Sequence, residues 1–144
     1  MSLEIRVEER GIEEAKQRLS ELMRRFSKDV AAGMKEEAES IMTESKLEVP
    51  VDTGALRSSG FVEEPQVSTD RISVKLGYGG AATKINPVSG QLTTSYAIIV
   101  HEGYQHHTVG KRKYLEDPVK RRRSTMWTAI YLSVRRALSR SGIK

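Results

Sequence analysis

The strongest constraint on the fold is a long stretch near the start of the chain that has helical periodicity. Its apolar residues recur at steps of three and four: Ile12, Ala15, Leu19, Leu22, Phe26 and Val30. This spacing places the side chains along one face of an α-helix. Val49-Pro50 ends the pattern, since the residue before a proline disfavours helix. We therefore predict one helix over residues 12–48, about 55 Å long at 1.5 Å per residue.

The apolar face of this helix changes at Gly33. Continuing the first stripe would place Glu37 in it, whereas the next apolar residues are displaced around the helix: Met34, Ala38, Ile41 and Met42. A glycine weakens a helix by about 0.5 to 1 kcal/mol relative to alanine, which favours a bend or a change of packing partner here. A single domain of 144 residues is narrower than this helix is long. We therefore predict a homo-oligomer in which Met34, Ile41 and Met42 contact a neighbouring subunit.

The middle of the chain alternates with period two, which is typical of half-buried antiparallel strands. The clearest alternation spans 71–78, and 56–67 is its predicted partner across a turn at 68–70. We predict a third strand over Tyr96–His101 and a short fourth over Leu3–Val7. Residues 79–95, rich in glycine and small polar residues, are predicted to form a mobile loop that becomes ordered in an assembly.

A second helix is predicted near the end of the chain. Asp117-Pro118 is a helix-start signal. The apolar stripe that follows runs to about Arg140: Val119, Met126, Trp127, Ile130, Val134, Ala137 and Leu138. The predicted fold class is α+β, a single domain over 1–144 with a long N-terminal and a C-terminal helix packed on a small antiparallel sheet of three to four strands.

Positive charge is concentrated at the C-terminal end. Residues 111–144 hold 11 Lys and Arg against 2 Asp and Glu, although the whole chain carries only +5. Such a segment favours an acidic protein surface or a nucleic acid as partner. The proposed contacts are Arg121, Arg122 and Arg123, together with Tyr131 and Leu132, an apolar pair off the buried stripe. The acidic candidates lie on the first helix of a neighbouring subunit: Glu36, Glu37, Glu39, Glu44 and Glu48. The alternative is a basic DNA-binding protein that uses the 111–140 cluster.

Other function classes find little support in the sequence. The chain has no cysteine, which excludes disulfides and thiolate sites, and its longest apolar run, Ala97–Val100, is far shorter than a membrane span. Asp52-Thr53-Gly54 matches the aspartic-protease triplet, but it follows a helix rather than lying in a β-frame, so a tight turn is favoured. His101, His106 and His107 lack the spacing of a zinc helix. We expect no enzyme activity, cofactor or metal, and the start of the chain has no secretory pattern.

Three separated blocks resemble the tailed-bacteriophage head–tail joining family, whose members are neck, tail-completion or minor tail components. The first block contains Pro50, Asp52, Thr53, Gly54, Leu56 and Arg57. The second contains Tyr96, Ala97, Glu102 and Gly103, and the third contains Lys113, Tyr114, Leu115 and Pro118. The order and spacing match over most of the chain. The sequence departs from the family pattern at His101, at Tyr104 and at Arg112-Lys113. The last of these pairs stands where the family tends to lysine-proline.

The resemblance implies a structural α+β protomer that assembles as a ring in the connector between capsid and tail and works by contact rather than catalysis. It also implies neighbouring connector and tail proteins as partners, with DNA passing through the channel and no membrane. The expected location is the virion, and the bacterial host cytoplasm during assembly.

Overall fold

The computed structural model describes residues 9–80, 83–103 and 109–140, and its fold class is α+β, as the sequence predicts. Helices and strands follow one another in this order: α1 (Glu9–Glu48), α2 (Ala55–Ser58), β1 (Gly60–Val62), β2 (Gln66–Val67), β3 (Ile72–Ser73), β4 (Leu76–Tyr78), α3 (Thr93–Glu102) and α4 (Glu116–Arg140). No helix within the described ranges is long and apolar enough to cross a membrane.

The long first helix is confirmed, and it begins a few residues earlier than the periodicity indicates. α1 has 40 residues and extends about 60 Å. Only its second half is covered, because buried positions begin at Ala31, whereas each of residues 11–26 is exposed. We refer to residues 11–26 as the arm.

The second half of α1 packs against α4, which runs antiparallel to it. At one end of the contact, Arg121 of α4 lies beside Glu48. At the other end, Ser133 of α4 lies beside Gly33. A Cβ atom at position 33 would stand 3.1 Å from the Ser133 Cβ atom, so the glycine allows the two helices to approach closely. α1 continues as one helix through Gly33.

The expected contact residues on α1 need correction. Ile41 and Met42 are each only 4% exposed and belong to the core of their own protomer, and Met34 is half-buried. α1 does have two apolar faces, but Ile41 and Met42 are not open to a neighbouring subunit. The displaced residues serve the protomer, and the N-terminal stripe is the face left open.

The strands form one interrupted hairpin against α1. β1 pairs antiparallel with β4, and β2 pairs antiparallel with β3 around the turn at 68–71. This confirms the predicted pairing of the two segments, although Ala55–Ser58 is helical. The hairpin is joined to α1 by the hydroxyls of Ser45 and Tyr78, 2.8 Å apart.

The predicted strand over Tyr96–His101 is wrong, because these residues lie in α3. The run Tyr96-Ala97-Ile98-Ile99-Val100 suits either structure by composition. Only Ala97 and Val100 are buried, three residues apart, whereas Ile98 and Ile99 are exposed. The buried positions of this segment are therefore spaced by three residues, as in a helix, and not by two, as in a strand. The fourth predicted strand, Leu3–Val7, lies outside the described residues.

The close approach at Gly33 gives a stability prediction. We expect Gly33→Leu to lower the free energy of unfolding by about 2 kcal/mol, because the new side chain must push α4 away. Gly11→Leu is the matched control, since a Cβ atom there meets nothing within 4 Å. Urea unfolding monitored by circular dichroism measures both, and equal effects would contradict the close helix contact.

Candidate functional site

The three blocks that carry the family resemblance meet in one core beside the C-terminal end of α1. Its buried residues come from all three blocks and the end of α1: Val49, Leu56, Ala97, Val100 and Tyr114. The Tyr114 hydroxyl donates a 2.9 Å hydrogen bond to the Ala97 carbonyl oxygen, and burial raises the pKa of this hydroxyl. The Tyr114 ring packs edge-on against Tyr78 and His101. Residues far apart in sequence therefore form one structural unit.

The first block is a tight connection from α1 to α2. Pro50 and Leu56 are buried, and Asp52 and Arg57 are exposed. Gly54 has φ 78°, the left-handed conformation that the sequence analysis expects of a tight turn. The Thr53 hydroxyl accepts a long hydrogen bond, 3.4 Å, from the Ala55 amide. α2 has no side-chain cap.

The second and third blocks are held together by backbone and ionic contacts. Gly103 ends α3 in the left-handed conformation, and the Lys113 amide donates to the His101 carbonyl oxygen at 2.8 Å. The Lys113 ammonium group lies 2.7 Å from Glu102 and 3.1 Å from Glu116. Hydrogen bonding from Lys113 lowers the pKa of Glu102.

The start of α4 completes this unit. Lys120 and Lys113 together hold the pKa of Glu116 at about 2. Pro118 is buried in the first turn of α4, and Leu115 is half-buried against the core. The helix-start prediction at Asp117-Pro118 is confirmed.

A cavity of about 560 Å³ opens on the outer side of the first block. Val51, Asp52 and Thr53 of the first block line it, together with Tyr96 and Ile99 of α3. Asp52 is the only charged residue among the described residues that line it. The lining is mixed, because polar side chains lie beside exposed apolar ones such as Val51 and Ile99: Asp52, Thr53, Asn86, Ser89, Gln91 and Ser95.

The segment before α3 borders the cavity and is organised by hydrogen bonds. The Asn86 side-chain oxygen accepts from the amides of Val88 and Ser89, and Ile85 forms an antiparallel bridge with Leu92. The loop predicted over 79–95 therefore ends at Thr93, where α3 begins. Residues 81 and 82 lie outside the described residues, and the mobility of the loop stays a prediction.

Two arginines at the start of α4 are neutralised within their own chain. Arg122 binds Glu37 at 2.6 Å and Glu44 at 2.7 Å, and Arg121 binds Glu48 at 2.6 Å. We call these five residues the α1–α4 ionic cluster. Glu37 is buried, and its hydrogen bond with Arg122 raises the pKa of the guanidinium group. Of the five acidic residues predicted as partners, Glu37, Glu44 and Glu48 do pair with these arginines, but within the same subunit and not across to a neighbour. The other two, Glu36 and Glu39, are exposed and do not pair with them.

The other contact residues expected on α4 are exposed. Arg123 makes no ion pair among the described residues, and Leu132 is also open to solvent. Tyr131 is 62% exposed, and Trp127, which the sequence analysis assigns to the buried stripe, is 70% exposed. Trp127 lies one turn from Tyr131 on the same flank, outside the surface formed by Ile130 and Val134 against α1.

The sequence predicts the apolar stripe of the arm, but it does not show that the arm is exposed. Its large apolar side chains are exposed along its whole length: Ile12, Leu19, Leu22, Met23 and Phe26. The signal that could have revealed it is the length mismatch between the two helices. α4 has 25 residues and covers about 37 Å, too little to cover the 40 residues of α1.

The described ranges contain no cluster of side chains that could hold a metal ion. His106 and His107 lie outside these ranges. Comparison with known proteins identifies no matching family model, curated relative or solved structure. Function is therefore inferred from the arm, the cavity and the convergence of the three blocks.

The α1–α4 ionic cluster gives a second stability prediction. We expect Arg122→Gln to lower the free energy of unfolding by about 3 kcal/mol, because it leaves buried Glu37 without its counter-ion. Arg123→Gln, one residue away and exposed, is the control and should change stability by less than about 0.5 kcal/mol. Urea titrations at neutral pH measure both variants. Indistinguishable transitions would show that the cluster does not hold the helices together.

The same cluster makes stability depend on pH. The hydrogen bond from Arg122 lowers the pKa of Glu44 below its ordinary value of 4.5. The stabilisation by Glu44 is therefore complete above this ordinary value and is lost as the pH falls through the lower folded pKa. Between about pH 5 and pH 3, the unfolding free energy of wild type should decline more steeply than that of Glu44→Gln. Parallel profiles would contradict the ion pair.

Proposed function

We propose that this chain is a structural subunit of the head–tail connector of a tailed bacteriophage or prophage, where it forms a ring and completes the joining of head to tail. The observation that carries the proposal is the arm, an exposed apolar helix face about 24 Å long. Monomeric proteins rarely expose large contiguous apolar patches, which are typical of interaction surfaces. A subunit that is buried in an assembly has such a surface for its neighbours.

The convergence of the three blocks supports the family resemblance. Pro50, Leu56, Ala97, Tyr114 and Pro118 are scattered through the sequence but are all buried in the unit beside the end of α1. A chance match of short motifs gives no reason for the matched residues to pack together. Their common core is what a shared fold requires.

Contact with protein is favoured over contact with DNA. Arg121 and Arg122, two of the strongest DNA candidates by sequence, are engaged by acidic groups of α1. A DNA phosphate would have to compete with these carboxylates. The exposed Arg123, Trp127 and Tyr131 remain on one side of α4 and support a basic DNA-binding protein as the second candidate function.

Assembly in solution is the first test. The purified protein should form a closed ring with a molar mass several times 16.2 kDa by light scattering, and negative-stain class averages should show a central channel. The ring should persist over a range of salt concentrations because its main contacts are apolar. A monomer at every concentration and salt would contradict the proposal.

Head–tail joining is tested in a phage whose genome encodes this chain. A nonsense mutation should yield DNA-filled heads and separate tails, and adding purified protein to the defective lysate should restore infectious particles. Defective particles of another kind, such as empty heads, would place the protein elsewhere. Micromolar binding to free duplex DNA at physiological salt, with a steep salt dependence, would favour the second candidate.

A further inference from the structure

We propose that the arm of one copy docks in the cavity of the next copy, so that subunits join head to tail. The cavity is the one beside the first block, whose exposed apolar lining includes Val51, Ile99 and Val109. This inference rests on the proposed function in so far as both require a homo-oligomer. It adds the two surfaces that meet.

The arm has the pattern of a helix that packs against a partner. Its apolar residues alternate at steps of three and four, which are the a and d positions of a heptad repeat: Ile12, Ala15, Leu19, Leu22 and Phe26. No described residue covers them, and Leu19 is 60% exposed. The arm therefore presents one continuous ridge of apolar side chains.

The cavity has room for side chains of this ridge. A volume of about 560 Å³ lies within the range that buries most of a drug-sized ligand, and it is large enough for more than one large side chain. Ile99 and Val109 are exposed at its edge. The protomer thus has an exposed apolar ridge and a cavity that combines polar lining groups with exposed apolar side chains.

The charges of the two surfaces are complementary. In the heptad of the arm, Lys16, Arg18 and Arg25 occupy the e and g positions that flank the apolar ridge. The acidic residues of the arm occupy b and c positions, which face away from the ridge. Asp52 is the only charged residue among the described lining of the cavity, and it is exposed. Lys16 pairs with Glu13 and Arg25 pairs with Glu21 within the arm. Among the described residues, Arg18 is therefore the flanking cation that is free to meet the carboxylate of Asp52.

The two surfaces of one chain cannot meet each other. Leu19 and Pro50 are separated along α1 by about 45 Å at 1.5 Å per residue. Because the arm and the cavity lie toward opposite ends of one helix, a second copy must supply the occupant. Such a heterologous contact generates a ring when its rotation closes, or otherwise a filament.

Pairing between two arms is the competing arrangement, and the charges disfavour it. An antiparallel pair brings g positions of the two copies together, so Arg18 would face Arg18 or Arg25. A parallel pair gains no interhelical ion pair, since no acidic residue of the arm occupies an e or g position. The cavity offers the arm a carboxylate instead.

A mixing experiment with two charge variants tests the docking. Leu19→Asp places a carboxylate on the apolar ridge, and Ile99→Asp places one at the cavity edge. Each variant alone should be monomeric by light scattering. A mixture of the two should form a heterodimer that grows no further, because only one intact arm and one intact cavity meet.

Matched controls keep the result specific. Ser20→Asp lies next to Leu19 but about 120° away from the apolar ridge, and Ile98→Asp is exposed next to Ile99 but does not line the cavity. Both controls should assemble like wild type. All four positions are exposed, so the thermal unfolding of each variant should match that of wild type.

The possible results separate the proposals. If Leu19→Asp abolishes assembly but Ile99→Asp does not, and mixing rescues nothing, the arms pair with each other and the docking proposal is overturned. If both variants still form rings, the docking proposal fails while the connector function stands. If wild type is monomeric and does not restore head–tail joining in the lysate, the connector function itself fails.

Cysteine cross-linking gives an independent measurement, because the natural sequence contains no cysteine. Under mild oxidation, a mixture of Leu22→Cys and Val51→Cys should yield a disulfide-linked dimer of the two different variants. Leu22→Cys alone should yield several-fold less. Preferential linkage of Leu22→Cys to itself would overturn the proposal.

Discussion

The rest of the structure depends on one constraint, the unequal length of the two helices that pack together. α1 extends about 60 Å and α4 about 37 Å. α4, which runs antiparallel to α1, is long enough to cover only the second half of α1. The hairpin packs on another side of that same half. The arm is therefore a geometric consequence, and its apolar face has no cover among the described residues of its own protomer.

The position of the uncovered part is set by the register between α1 and α4. Arg122 meets both Glu37 and Glu44, one on each side of it along α1, and Arg121 meets Glu48. These pairs fix the start of α4 beside the end of α1 and bring Ser133 against Gly33. A shift by one helical turn would separate buried Glu37 from its counter-ion, a large penalty for a desolvated charge. Ionic contacts therefore specify the register, whereas Ile130 and Val134 supply apolar burial.

The sequence predicts the parts of this fold that have strong local signals. The helical period, Val49-Pro50 and Asp117-Pro118 place both long helices, and Gly54 indicates the tight turn that is found. The Tyr96–His101 segment is assigned wrongly because a short apolar run suits a strand or a helix, and only the packing surface decides.

The assembly surfaces are the least predictable part. Periodicity shows that Ile41 and Leu19 lie on different faces of α1, but it does not show which face the protomer covers. That depends on where α4 packs, which is a tertiary property. The same limit applies to the acidic residues Glu37, Glu44 and Glu48, since charge alone cannot distinguish a partner in the same chain from one in a neighbour.

Hydrogen exchange of backbone amides, compared between dilute monomer and assembled protein, tests the central claim most directly. The account predicts that assembly slows exchange in the arm and in the segments 50–56 and 95–100 that border the cavity, while residues 31–45, already covered in the protomer, change little. Exchange in the arm that is equally fast in both states would contradict the account, because the apolar face of α1 would then have no role in assembly.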